Sequence, residues 1–195
     1  MRFMSLLLFP VLVGLTLLAG VATAAPRGPE VGDFAPALLG QDPDGKPVTL
    51  EAWRGKLVVV AFWNSKCAYC LVEVPTLENL QKVVGGEHLQ VVVVNLNDSG
   101  KDWDAMLRQM RGYALVQARD ASGSVAAAWG VRMFPNLWLL DAEGRVQRHY
   151  EGYLEDALPG ILEDVQRAEL AAFPEATPAP VAWGPAPWPV RLRRR

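Results

Sequence analysis

The chain has two cysteines, Cys67 and Cys70, and they stand three positions apart with Ala68 and Tyr69 between them. Thiols at that spacing can close an intramolecular bridge within one helical turn. Three chemistries use such a pair: a cycling dithiol/disulfide, half of a metal site, or a plain structural bridge. A bridge over so short a loop restrains little of the unfolded chain, because disulfide stabilisation grows with loop length. Structural zinc takes four protein ligands. The remaining candidates, His88 and His149, are far apart in sequence and lack ligand spacing, so they are expected to be ordinary surface histidines, and no metal site is assigned. Cu(I) suits two thiolates, although no Met or His cluster assists; a copper carrier is kept as an alternative.

The elements around the pair discriminate further. Leu57 to Trp63 is an unbroken apolar run, the pattern of a central strand covered on both faces. After the cysteines, Val74, Leu77, Leu80 and Val84 recur at helical spacing, and Gly85-Gly86 ends the run. Cys67 is therefore expected at a helix N-terminus, where unpaired backbone N–H groups favour an anion and lower a thiol's pKa. Lys66 adds positive charge beside it. Cys70, one turn in, is placed to resolve a mixed disulfide on Cys67.

Further along, Ala37–Leu39 and Pro47–Leu50 flank a turn cluster and predict a hairpin. Leu89 to Leu96 predicts a second buried strand. Asp98-Ser99 is expected to cap a helix bearing Trp103, Met106, Leu107 and Met110 on one side. A short strand over Ala114–Gln117, a short helix over Ser122–Trp129, strands over Leu137–Leu140 and Val146–Tyr150, and a helix over Glu155–Ala172 complete the series. Alternating strands and helices imply a mixed sheet between helices.

Both ends differ from this middle. Residues 1–25 carry Arg2, an apolar run from Phe3 to Val21 and the small-x-small pattern Ala22-Thr23-Ala24. That is the pattern of a cleaved export signal; an uncleaved membrane anchor is the competing reading. Val21 stands where a lipoprotein signal needs cysteine. Residues 173–195, rich in proline and ending in Arg193-Arg194-Arg195, predict a disordered tail. Between them, residues 26–172 form the expected domain with a net charge of −6. So acidic a domain lacks the basic stripe of a nucleic-acid binder.

Phe62-Trp63-Asn64-Ser65-Lys66-Cys67-Ala68-Tyr69-Cys70, followed by Glu73-Val74-Pro75, resembles the active-site segment of thioredoxin-like proteins. Val31-Gly32-Asp33-Phe34-Ala35-Pro36 and Trp129-Gly130-Val131-Arg132-Met133-Phe134-Pro135 resemble the exported TlpA/ResA branch. The resemblance implies an α/β thioredoxin fold, a mixed central sheet flanked by helices with an N-terminal β-hairpin extension. It implies a thiol–disulfide oxidoreductase of the bacterial cell envelope or periplasm that reduces protein disulfides, of the type serving cytochrome c maturation or metal-site assembly. The redox-active Cys67–Cys70 disulfide would be its only cofactor. Exported protein thiols and a membrane thiol electron donor would be its partners, and a monomer is expected. Residue by residue, Pro135 matches the family's cis-proline, with Phe134 presenting backbone to a substrate. Glu73 matches a glutamate that tunes the cysteines, Trp63 a flanking tryptophan, and Pro75 a proline in the active-site helix.

The departures bear on the direction of electron flow. Ala61 stands where thioredoxins place a buried aspartate, Lys66 where tryptophan is common, Ala68-Tyr69 where the second residue is often proline, and Phe134 where a small or β-branched residue is usual. A thiol peroxidase is the remaining enzymatic alternative, but Asn64 occupies the position where those enzymes carry threonine.

Overall fold

The computed structural model describes residues 27–152 and 157–175. The expected leader and nearly all of the expected tail lie outside the described residues. A seven-stranded sheet runs in the order β2-β1-β5-β4-β3-β6-β7. Its strands are β1 (Leu38–Gln41), β2 (Pro47–Thr49), β3 (Leu57–Trp63), β4 (Leu89–Leu96), β5 (Val116–Asp120), β6 (Asn136–Leu140) and β7 (Val146–Glu151). The helices are α1 (Cys70–Val84), α2 (Gly100–Gln109), α3 (Ser124–Ala128) and α4 (Ala157–Ala172).

Strand β3 is central because it can be. All seven of its residues are buried, and it pairs in parallel with β4 and antiparallel with β6. Alternate side chains enter opposite layers, as the period of two requires. Leu57, Val59, Ala61 and Trp63 meet Val74, Leu77 and Leu80 of α1, Trp103 and Met106 of α2, and Ile161, Leu162 and Val165 of α4. Val58, Val60 and Phe62 meet the hairpin's Leu39 and Val48, together with Val125, Trp129 and Trp138. Continuous apolar runs thus become strands with two dry faces, and the parallel β3–β4 pair is bridged by α1.

The expected strands and helices are all present, with shifted edges. The strand expected over Ala114–Gln117 is Val116–Asp120, because Ala114 and Leu115 give their N–H groups to the Glu78 carboxylate on α1 rather than to a neighbouring strand. Helix α3 is trimmed to Ser124–Ala128 because Gly123 sits at φ +76° and cannot continue a helix backwards. Ser99 alone caps α2, accepting a hydrogen bond from the Asp102 N–H; Asp98 is used elsewhere. His88 departs from the surface role expected of it: it is half-buried, stacks on Phe173 and bonds the buried Glu169. His149 is exposed as expected and stacks on Trp138.

Candidate active site

Parallel strands β3 and β4 end on the same edge of the sheet, and the chain leaving β3 turns there through Asn64, Ser65 and Lys66 into Cys67. Asp98, just beyond β4, fixes that turn. Its carboxylate accepts the Ser65 N–H at 3.0 Å, the Ser65 hydroxyl at 2.8 Å and the Asn95 side-chain amide at 2.7 Å. Asn97 adopts φ +65° immediately before it, a conformation asparagine tolerates better than most residues. Arg119 ties down the Asp98 carbonyl. The Asn64 side chain accepts the Lys66 N–H at 3.0 Å.

Cys67 and Cys70 are joined as a disulfide, with Cα atoms 5.2 Å apart. The helix begins at Cys70 rather than at Cys67, so Cys67 stands just ahead of the first turn instead of inside it. The electrostatic consequence expected of a helix start survives this shift: the Cys70 N–H points at the Cys67 sulfur, at 3.1 Å. Burial separates the two cysteines. Cys70 is fully enclosed, whereas Cys67 is half-buried at the surface. A reagent approaching from solvent meets Cys67 first.

The remaining residues singled out from the sequence converge on this corner. Trp63 is fully buried in the same apolar cluster as Cys70, and Phe134 and Cys67 pack against that cluster. Pro135 follows a cis peptide bond from Phe134. The pairing of Phe62 with Asn136 sets Pro135 beside Trp63 at the end of β3. The Pro135 carbonyl accepts the Gly152 N–H at 2.8 Å. Upstream, Gly130 at φ +69° lies against Gly28: a Cβ on Gly130 would fall 2.6 Å from the Gly28 nitrogen. That close approach ties the N-terminal segment to the stretch leading into Pro135. Lys66 is exposed beside Cys67.

Glu73 departs most from a simple sequence reading. Its place on α1 suggests a solvated face, but it is only 4% exposed. One carboxylate oxygen, Oε2, is buried without a hydrogen-bond partner among the described residues. Burial alone raises its pKa to about 8, so the acid is mostly protonated at neutral pH. It follows Cys70 by three positions on the helix, a spacing that puts two side chains on one face. The Trp63 indole N–H, in the layer that α1 covers, is likewise buried without a partner.

Among the described residues, no group of three or more His, Cys, Asp or Glu side chains gathers as metal ligands would. The arrangement is a dithiol/disulfide couple with one accessible sulfur, one enclosed sulfur and a buried acid nearby.

A family model described as Redoxin matches residues 30–165. The chain belongs to the Redoxin family. Within it, the chain is 27% identical over 152 residues to the thiol-disulfide oxidoreductase ResA of Geobacillus thermodenitrificans, covering 78% of this chain and 86% of that one. Among solved structures it superposes on a protein assigned as thiol:disulfide interchange protein DsbE from Chlorobium tepidum, with a TM-score of 0.67 and 26% identity. That match spans 73% of this chain and 99% of the other. The exposed lipoprotein thioredoxin Etrx1 of Streptococcus pneumoniae gives a TM-score of 0.57 at 27% identity, spanning 67% of this chain and 97% of that one. This Redoxin-family chain has the thioredoxin fold and is a thiol–disulfide oxidoreductase. Sequence reasoning did not find Asp98 as the anchor of the active-site turn. Its only signal, an acidic residue before Ser99, reads equally well as a helix cap.

Proposed function

We propose that the protein reduces disulfides of exported proteins in the bacterial cell envelope, with Cys67 as the attacking thiol and Cys70 as the resolving one. The unequal exposure of the two sulfurs, with the Cys70 N–H directed at the Cys67 sulfur, is the observation that carries the assignment. In the reduced protein the Cys67 thiolate attacks a client disulfide, and one client sulfur leaves and takes up a proton. Cys70 then loses its proton and attacks the Cys67 sulfur, which releases the second client thiol. Two electrons pass to the client, and the Cys67–Cys70 disulfide remains. Glu73, one turn beyond Cys70, is the buried carboxyl placed to take the Cys70 proton, which it does from its minor, ionised form.

The likeness to ResA and DsbE supports clients of the kind met in cytochrome c maturation or metal-site assembly, with a membrane thiol carrier returning the electrons. The leader-like residues 1–25 and the exposed-lipoprotein relative support an envelope location. Two measurements test the reading. Equilibration with glutathione is expected to give a potential near that of thioredoxin, about −270 mV, and a value near −120 mV would make the protein an oxidant instead. The Cys70→Ser variant is expected to hold exported clients as mixed disulfides on Cys67. Capture of no exported protein would contradict the assignment.

A further inference from the structure

Two large, partly apolar side chains stand exposed on the segments around the disulfide. Tyr69, between the cysteines, is 53% exposed, and Met133, two residues before the cis-proline, is 51% exposed. They stand on the two chain segments that frame Cys67, the turn into α1 and the loop into β6. Val31, Phe34, Leu38 and Leu170 are exposed as well, but only Tyr69 and Met133 stand on the segments that flank a reactive sulfur, where exposed apolar surface suits contact with a substrate. Tyrosine is a rigid aromatic anchor of the kind enriched at binding hot spots, and methionine adapts its shape to whatever it meets.

The charges at this rim also stand out. Lys66 adjoins Cys67 and Arg132 adjoins Met133; both are exposed, and neither side chain has an ion-pair partner among the described residues. Arg132 lines a cleft together with Arg27, His149 and Glu151, and partial burial lowers the pKa of His149, so it is neutral at pH 7. The domain as a whole carries a net charge of −6. Charges farther away than about 8 Å are largely screened at physiological salt, so an approaching segment meets these local charges rather than the net charge of the domain.

We propose that this rim selects client segments in which the reacting cysteine is flanked by an apolar side chain and an acidic one. Tyr69 and Met133 grip the apolar residue; Lys66 and Arg132 receive the carboxylate. The proposal rests on the oxidoreductase reading above and specifies its substrate class.

The test uses cysteine peptides blocked as mixed disulfides with glutathione. Three share one length and carry Leu and Glu, Leu and Lys, or Ser and Glu beside the cysteine. Reduced protein is mixed with each, and hydroxyethyl disulfide serves as a featureless control. The readout is the ratio of rates between peptides within one protein, which cancels any change in Cys67 reactivity. In low salt the Leu–Glu peptide is expected to react about fivefold faster than Leu–Lys and about tenfold faster than Ser–Glu. The charge ratio is expected to collapse toward one in 0.5 M NaCl and in Arg132→Glu. The apolar ratio is expected to fall severalfold in Met133→Ser and in Tyr69→Ser. Equal rates for all three peptides, with hydroxyethyl disulfide reduced, would overturn the proposal while leaving the oxidoreductase reading intact. Reduction of neither peptides nor hydroxyethyl disulfide would overturn both.

Discussion

Glu73 and Glu78 stand five residues apart on α1, both almost fully enclosed, and the fold treats them in opposite ways. Glu78 is surrounded by donors: the Ala114 N–H at 2.9 Å, the Leu115 N–H at 3.2 Å and the Lys82 ammonium at 2.9 Å. It stitches the third turn of the helix to the chain entering β5. Glu73, in the first turn beside the disulfide, has one oxygen with no partner among the described residues, and its pKa rises to about 8. A buried carboxylate that is fully bonded is architecture. One left poor in donors destabilises the fold when ionised, a cost consistent with the proton-holding role proposed for Glu73.

The contrast can be broken by mutation. The largest effect is expected from Glu78→Ala, which strands two backbone N–H groups at the entry to β5. Urea denaturation is expected to show a loss of about 2–4 kcal/mol, and a loss below half a kcal/mol would show that the clamp is dispensable. Glu73→Gln is expected to do the reverse. The folded pKa of about 8 lies above the 4.5 of a free glutamate carboxyl, so the neutral acid's advantage is complete below pH 4.5 and is lost as pH climbs to 8. The glutamine variant should therefore match wild type near pH 4.5 and exceed its stability by about 2 kcal/mol near pH 6. Wild-type stability that stays level between those values, once other groups are accounted for by the variant's own curve, would contradict a buried, raised Glu73.

Smaller effects sharpen the same comparison. Asp98→Asn sets an amide where Ser65 needs an acceptor, so a cost of about 1–2 kcal/mol is expected, with faster hydrogen exchange at the Ser65 amide. Unchanged exchange would remove Asp98 as the anchor of the active-site turn. Lys82→Met breaks a pair whose lysine is 57% exposed. Its cost is expected to stay within about 0.5 kcal/mol, leaving the backbone N–H groups as the main holders of Glu78.

The fold was legible because its signals are local. Apolar runs such as Leu57–Trp63 and Leu89–Leu96 announce strands with two buried faces, and the spacing Val74-Leu77-Leu80-Val84 announces the helix that covers one of them. The cysteine pair was legible from its spacing, and Pro135 with Phe134 from the family resemblance. The helix start was misplaced by three residues because the turn through Ala68 and Tyr69 carries no capping side chain. Glu73 was marked by the resemblance, but its burial was not, and Glu78 and Asp98 were illegible altogether, for a different reason. A carboxylate's environment depends on partners far along the chain, such as Ala114 for Glu78 and Ser65 for Asp98, and no local pattern reports them. His88 was misjudged in the same way, since its partner Glu169 is 81 residues distant.

The central claim is the division of labour between the two sulfurs, and alkylation of the reduced protein tests it directly. Limiting iodoacetamide, added between pH 5 and pH 9 and located by peptide mass, is expected to label Cys67 and spare Cys70. The labelling rate should rise through an apparent pKa well below the 8.5 of a free thiol. Labelling of Cys70 at an equal or greater rate, or a Cys67 profile centred at or above 8.5, would contradict the account.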